Sequence, residues 1–88
     1  MKVELEVDSL AQLAEALPLA PDVIMLDNFS LGDLREAVAM TAGRVTLEAS
    51  GGVDLATVRA IAETGVDFVS VGRITQSAPA VDIGLDWN

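Results

Sequence analysis

Four runs along the chain are apolar, or alternate between apolar and polar, over the length of a β-strand: residues 3–7 (VELEV), 22–27 (DVIMLD), 45–49 (VTLEA) and 67–72 (DFVSVG). They begin about 19 to 23 residues apart. Between them the apolar period lengthens. Leu10, Leu13, Ala14 and Leu17, then Leu31, Leu34 and Val38, then Leu55, Val58, Ile61 and Ala62 recur at the spacing of a helix face. Each helical stretch opens on a side chain suited to accept from an orphan backbone N–H, namely Ser9 (or Asp8), Ser30 and Asp54. Gly43 and Gly65 stand where helices usually end. The pattern predicts strand and helix in alternation, ending on a fourth strand and a tail.

Strands separated by helices of this length run parallel with right-handed crossovers. Two architectures fit: an arc of a (β/α)₈ barrel, or a small open flavodoxin-like sheet with helices on both faces. The polar positions discriminate. In VELEV, Val3, Leu5 and Val7 share one face, while Glu4 and Glu6 share the other; the corresponding second face of the third strand carries Thr46, Glu48 and Ser50. A strand covered by helices on both sides would bury those carboxylates, at high cost. A barrel interior near its mouth tolerates them, so the fold class read here is α/β, four parallel βα-type units forming a partial (half) TIM-like barrel. Four strands cannot close a barrel, and an arc leaves edges that invite association. The 88 residues are therefore read as one domain, 1–88, that is a fragment or one half of something that pairs.

Composition narrows the function. With 51% hydrophobic residues and no cysteine, the chain is a globular piece that relies on packing or a partner, and the missing cysteines favour a reducing, cytoplasmic setting. No apolar segment reaches the roughly 18 residues of a membrane span, and the opening Met1-Lys2-Val3-Glu4 lacks the pattern of a signal peptide. A net charge of −9, with Lys2, Arg35, Arg44, Arg59 and Arg73 scattered, argues against nucleic acid as a partner.

Chemistry in parallel α/β proteins gathers at the C-terminal ends of strands. There the sequence places Glu6, Asp27 with Asn28, Ser50-Gly51-Gly52, and Gly72-Arg73. Two glycines in a turn before a helix let a backbone approach a ligand and aim N–H groups at an anion. The same turn without a ligand is the simpler alternative. A second glycine loop at Gly72, followed by the short segment 74–79, strengthens the phosphate reading, because paired loops after the last strands and a short extra helix form the recurrent phosphate site of (β/α)₈ enzymes. Glu6 and Asp27 fall on adjacent strands at one rim, where carboxylate oxygens suit Mg²⁺ shared with substrate phosphates. Alternatively Asp27 caps the loop before Ser30, and Glu6 is a solvated rim charge. Arg73 either neutralises a phosphate or is a surface group. The chain has no histidine and one lysine, which leaves little for proton transfer. Met25 and Met40 read as core, and Trp87 as cover for an apolar edge.

Taken together, VELEVDSL, IMLDNFS, LEASGGV and ETGVDFVSVGRITQSAPAVDIGLD resemble the C-terminal part of the quinolinate phosphoribosyltransferases, also called nicotinate-nucleotide pyrophosphorylases (carboxylating). The resemblance spans essentially the whole chain, and the last two strings are specific in combination. It implies a glycosyltransferase of NAD biosynthesis that joins quinolinate to phosphoribosyl pyrophosphate with Mg²⁺, releasing pyrophosphate and CO₂ to give nicotinate mononucleotide. It also implies an incomplete α/β barrel assembled as dimers or larger oligomers. Carried over by residue, the ribose- and metal-side acids fall on Glu6 and Asp27, and the phosphate-cradling turn on Ser50, Gly51 and Gly52 with Gly72.

Two departures limit the inference. Where many members have histidine before Ser-Ala-Pro, this chain has Gln76, which donates a hydrogen bond but carries no charge. The family's basic cluster for the quinolinate dicarboxylate lies upstream of this segment, so no complete catalytic set is present, and quinolinate is expected only with that N-terminal part. Phosphoribosyl pyrophosphate or phosphate is the expected ligand, and a homodimer the expected assembly. The competing reading is an isolated or engineered half-barrel that self-associates without turnover, favoured by a start at Met1 directly before a strand. Another phosphate-binding (β/α)₈ enzyme, such as one of tryptophan synthesis, leaves MLDN and SAPAVDIGLD unexplained.

Overall fold

The computed structural model of the chain describes residues 2–51, 57–71 and 74–77. Strands β1 (Glu4–Val7), β2 (Val23–Asp27), β3 (Thr46–Ser50) and β4 (Phe68–Val71) alternate with helices α1 (Leu10–Ala16), α2 (Leu31–Thr41) and α3 (Val58–Ala62). The four strands lie side by side in chain order, and each neighbouring pair is parallel. A flavodoxin-like sheet would reverse its strand order at a switch point and carry helices on both faces. Among the described residues this sheet does neither. The helices bury Leu13, Ala16, Leu34, Ala37, Val58 and Ile61 in one cluster with Val7, Ile24, Leu26, Leu47, Ala49 and Val69 of the strands. All those strand positions belong to one face.

The other face holds Glu4 and Glu6, Met25 and Asp27, Thr46, Glu48 and Ser50, Phe68 and Ser70, as strand alternation and register require. Sheet order and one-sided helices give an open α/β arc of the kind the polar positions predict. Met25, expected in the core, instead stands half-buried on this second face, level with Glu6 and Glu48. Met40 packs against the core cluster as expected.

The segment after β4 departs from expectation. In place of a short helix, Ile74–Ser77 forms a fifth strand, β5, antiparallel to β4, with Val71 paired to Ile74 and Phe68 to Ser77. β-Branched Ile74 and Thr75 favour the extended chain, and the hairpin covers the edge that a four-stranded arc would leave bare on this side.

Two of the expected helix caps are in place. Ser9 Oγ accepts the Gln12 N–H and Ser30 Oγ accepts the Asp33 N–H, each at 3.2 Å. Gln12 returns the contact, its Oε1 accepting the Asp8 N–H at 2.8 Å, much as in a capping box. The cap expected at Asp54 lies outside the described residues, as do Leu55 and Trp87. Helix α1 continues through a 3-10 turn, Leu17–Leu19, that ends on left-handed Ala20 (φ 50°). Helix α2 ends on Ala42 in the same conformation (φ 51°), one residue before Gly43, and Arg44 donates to the terminal carbonyls of Met40 and Thr41.

At the N-terminal end of the sheet one device occurs twice. The Asp22 N–H donates to the Val3 carbonyl while its carboxylate accepts the Val3 N–H at 2.6 Å. Asp67 does the same to Leu47, with both contacts at 2.9 Å. Each aspartate locks its strand onto the preceding one at the point of entry.

Candidate functional site at the C-terminal rim

β2 and β3 end level with each other, Asp27 opposite Ser50. The chain then leaves β2 through Asn28 in the left-handed conformation (φ 61°), which asparagine tolerates better than most residues. That bend turns the Asn28 N–H onto the Ser50 carbonyl at 2.8 Å and ties the two strand ends together. Gly51 follows with φ 78°. A Cβ at Gly51 would collide with Asp27 Oδ1 and lie 2.9 Å from the Asn28 nitrogen, so both torsion and space demand glycine. The Asp27 carboxylate therefore rests directly against the glycine corner.

Glu6 lies one strand away, level with Met25 and on the same face as Asp27. It is exposed, whereas Asp27 and Ser50 are half-buried. Glu6, Asp27 and Ser50 thus lie on one face of the sheet toward its C-terminal end, with Gly51 next after Ser50. Ser30 caps α2, as its place before the helix predicts. Gly52, Gly72 and Arg73 lie outside the described residues; Gln76 sits in β5, its backbone level with Val69. Among the described residues no group of three or more acidic, histidine or cysteine side chains is placed to hold a metal, so Glu6 and Asp27 would offer a cation only two carboxylates.

One pair at the site has no counterpart in the motif reading. Glu48, only 9% exposed, accepts a short hydrogen bond from the Ser70 hydroxyl. Alternation places Glu48 on the rim face beneath Ser50, and that was legible from sequence. Its partner, 22 residues away on β4, was not. Among the described residues no helix is long and apolar enough to cross a membrane.

Comparison with known proteins agrees with this geometry. The chain matches the family described as quinolinate phosphoribosyl transferase, C-terminal domain, over residues 1–86. It is 45% identical over 86 residues to the nicotinate-nucleotide pyrophosphorylase (carboxylating) of Mycobacterium leprae, covering 94% of this chain and 30% of that protein. Against the enzyme of the same name from Rattus norvegicus it is 39% identical over 88 residues, 97% of this chain and 29% of the relative. Among solved structures, the nicotinate-nucleotide pyrophosphorylase from Francisella tularensis superposes with a TM-score of 0.75 at 44% identity, over 84% of this chain and 28% of that one. The chain thus spans about 30% of the length of the curated relatives it matches. The chain belongs to the quinolinate phosphoribosyltransferase family, matching its C-terminal domain over residues 1–86.

Proposed function

We propose that this chain supplies the phosphate and cation side of a phosphoribosyltransferase site in NAD biosynthesis, where quinolinate and phosphoribosyl pyrophosphate give nicotinate mononucleotide, pyrophosphate and CO₂. The observation that carries the reading is the contact between the Asp27 carboxylate and the Gly51 corner, which brings a cation-seeking group and a close backbone approach to one point. Ser50, Gly51 and Gly52, with Gly72, Arg73 and Gln76 after β4, would hold the phosphate through backbone N–H and polar side chains. Glu6 and Asp27 would hold Mg²⁺. Two carboxylates on adjacent strands suit an ion that keeps several waters and shares substrate oxygens, and bound there it would neutralise the diphosphate. The absence of clustered bases supports a chain that binds phosphoribosyl pyrophosphate yet does not turn over quinolinate by itself.

Calorimetry tests this directly. Phosphoribosyl pyrophosphate with Mg²⁺ is expected to bind at millimolar strength, and Asp27→Ala to reduce that binding at least tenfold. No nicotinate mononucleotide is expected from the pure chain. Absence of heat at millimolar ligand, or measurable product, would overturn the corresponding half of the proposal.

The open second face supports an assembly as well. Phe68 on that face is 37% exposed and Val3 beside β1 is 49% exposed, and among the described residues β1 pairs on one side only. A homodimer in a cytoplasmic setting is the state we propose, and light scattering that reports a monomer would refute it.

A further inference from the structure

At the N-terminal end of the sheet, away from the rim, the loops entering β2, β3 and β4 enclose a cavity of about 290 Å³ whose lining includes Asp22, Gly43, Arg44, Thr46 and Asp67. Three of these side chains are charged, and each is tethered to backbone. Asp22 Oδ2 accepts the Val3 N–H, and Asp67 Oδ2 accepts the Leu47 N–H. Arg44 donates from Nε and Nη2 to the carbonyls of Thr41 and Met40 at the end of α2. Among the described residues the guanidinium forms no ion pair with either aspartate, although all three border the same space. Their tethers run to different elements, β1, β3 and α2, and keep opposite charges apart that would otherwise attract. Capacity is left on every one of them. A carboxylate accepts through both oxygens and a guanidinium donates through all three nitrogens, and Oδ1 of each aspartate and Nη1 of Arg44 have no protein partner among the described residues. Gly43 adds room, since a Cβ there would meet nothing within 4 Å.

From this we infer that the cavity binds a small zwitterion of the α-amino acid type, its ammonium on the aspartates and its carboxylate on Arg44. A simple anion would meet the guanidinium and also two carboxylates; a simple cation would meet the carboxylates and also the guanidinium. A ligand carrying both charges answers both. The tethers hold the three groups in place before the ligand arrives, which spares the ordering cost of binding. The inference is independent of the phosphate site, which lies at the other end of the strands.

The test titrates the chain with glycine, with N-acetylglycine, which keeps only the carboxylate, and with glycinamide, which keeps only the ammonium, following amide chemical shifts. Asp22, Arg44 and Asp67 are exposed, so each matched charge is worth about fivefold, the scale of a solvent-screened ion pair. Glycine is expected to bind about fivefold tighter than either analogue and to shift the amides of Asp22, Gly43, Arg44 and Asp67 together. Asp67→Asn removes the charge yet keeps an acceptor for the Leu47 N–H, and Arg44→Gln removes the charge yet keeps a donor for the α2 carbonyls. Asp67→Asn is expected to lower glycine affinity to about that of N-acetylglycine, and Arg44→Gln to about that of glycinamide. Unfolding midpoints check the fold of each, and if one variant does not fold the other decides. Glycinamide binding as tightly as glycine overturns the inference and marks an acidic patch only. Glycine binding no tighter than N-acetylglycine, shifts confined to other parts of the chain, or glycine affinity unchanged in a folded variant overturns it as well. Each of these outcomes leaves the phosphate reading standing, and loss of phosphate binding at the rim leaves this one standing.

Discussion

The two ends of the sheet use the same residue types for different work. At the N-terminal end, Asp22 and Asp67 hand a carboxylate oxygen to the backbone N–H of Val3 and Leu47, and Gly43 takes φ 78° in open space. At the C-terminal end, Asp27 carries its carboxylate to the rim, and Gly51 takes the same φ of 78° pressed against it. An aspartate or a glycine is thus uninformative by type alone. What distinguishes the ends is whether the carboxylate is occupied by the neighbouring strand and whether the glycine is needed for space as well as torsion. One end holds the strands together, and the other holds its acid and its close backbone approach toward the mouth.

The sharpest way to break the comparison is Gly51→Ala. It combines left-handed strain with a collision against Asp27 and the Asn28 backbone, and an expected cost of about 3 kcal/mol or more in denaturant unfolding. If Gly51→Ala costs no more than Gly43→Ala, the crowded corner does not exist. Next comes Asp67→Ala, which strands the N–H of buried Leu47 and is expected to cost about 2 kcal/mol, whereas Asp22→Ala, at a more exposed edge, should cost less than half of that because water replaces the carboxylate. Equal losses at the two positions, read from unfolding midpoints, would show that exposure does not grade the two clamps. Smallest is Gly43→Ala, with only the left-handed torsion to bear and an expected cost of about 1 kcal/mol. Phosphate binding, if the rim reading holds, should survive this last change unaltered.

Much of this architecture was legible along the chain. Alternation in VELEV and VTLEAS separated the helix-covered face from the acidic one, and the caps at Ser9 and Ser30 came with the helix period. Glu6, Asp27 and Ser50 could be placed at strand ends because strand ends are local features. Met25 departs from the expected core position for an equally local reason: a single apolar residue in DVIMLD does not reveal which face it occupies when both faces of the run look apolar. The segment after β4 forms a hairpin in place of the expected short helix because a hairpin is decided by the edge it finds, which the residues of 74–77 do not encode.

The sequence by itself determined the alternation of elements, their amphipathic faces and the residue types at each strand end, since all of these follow from periods of two and 3.6 residues read over short windows. Only the tertiary structure decided which carboxylates are consumed and which reach the rim. Asp67 meets Leu47 across 20 residues, Ser70 meets Glu48 across 22, and Asp27 meets Gly51 through the register of β2 on β3. Register is set by the packing of the whole sheet, and a shift of one residue would turn every one of these side chains to the opposite face.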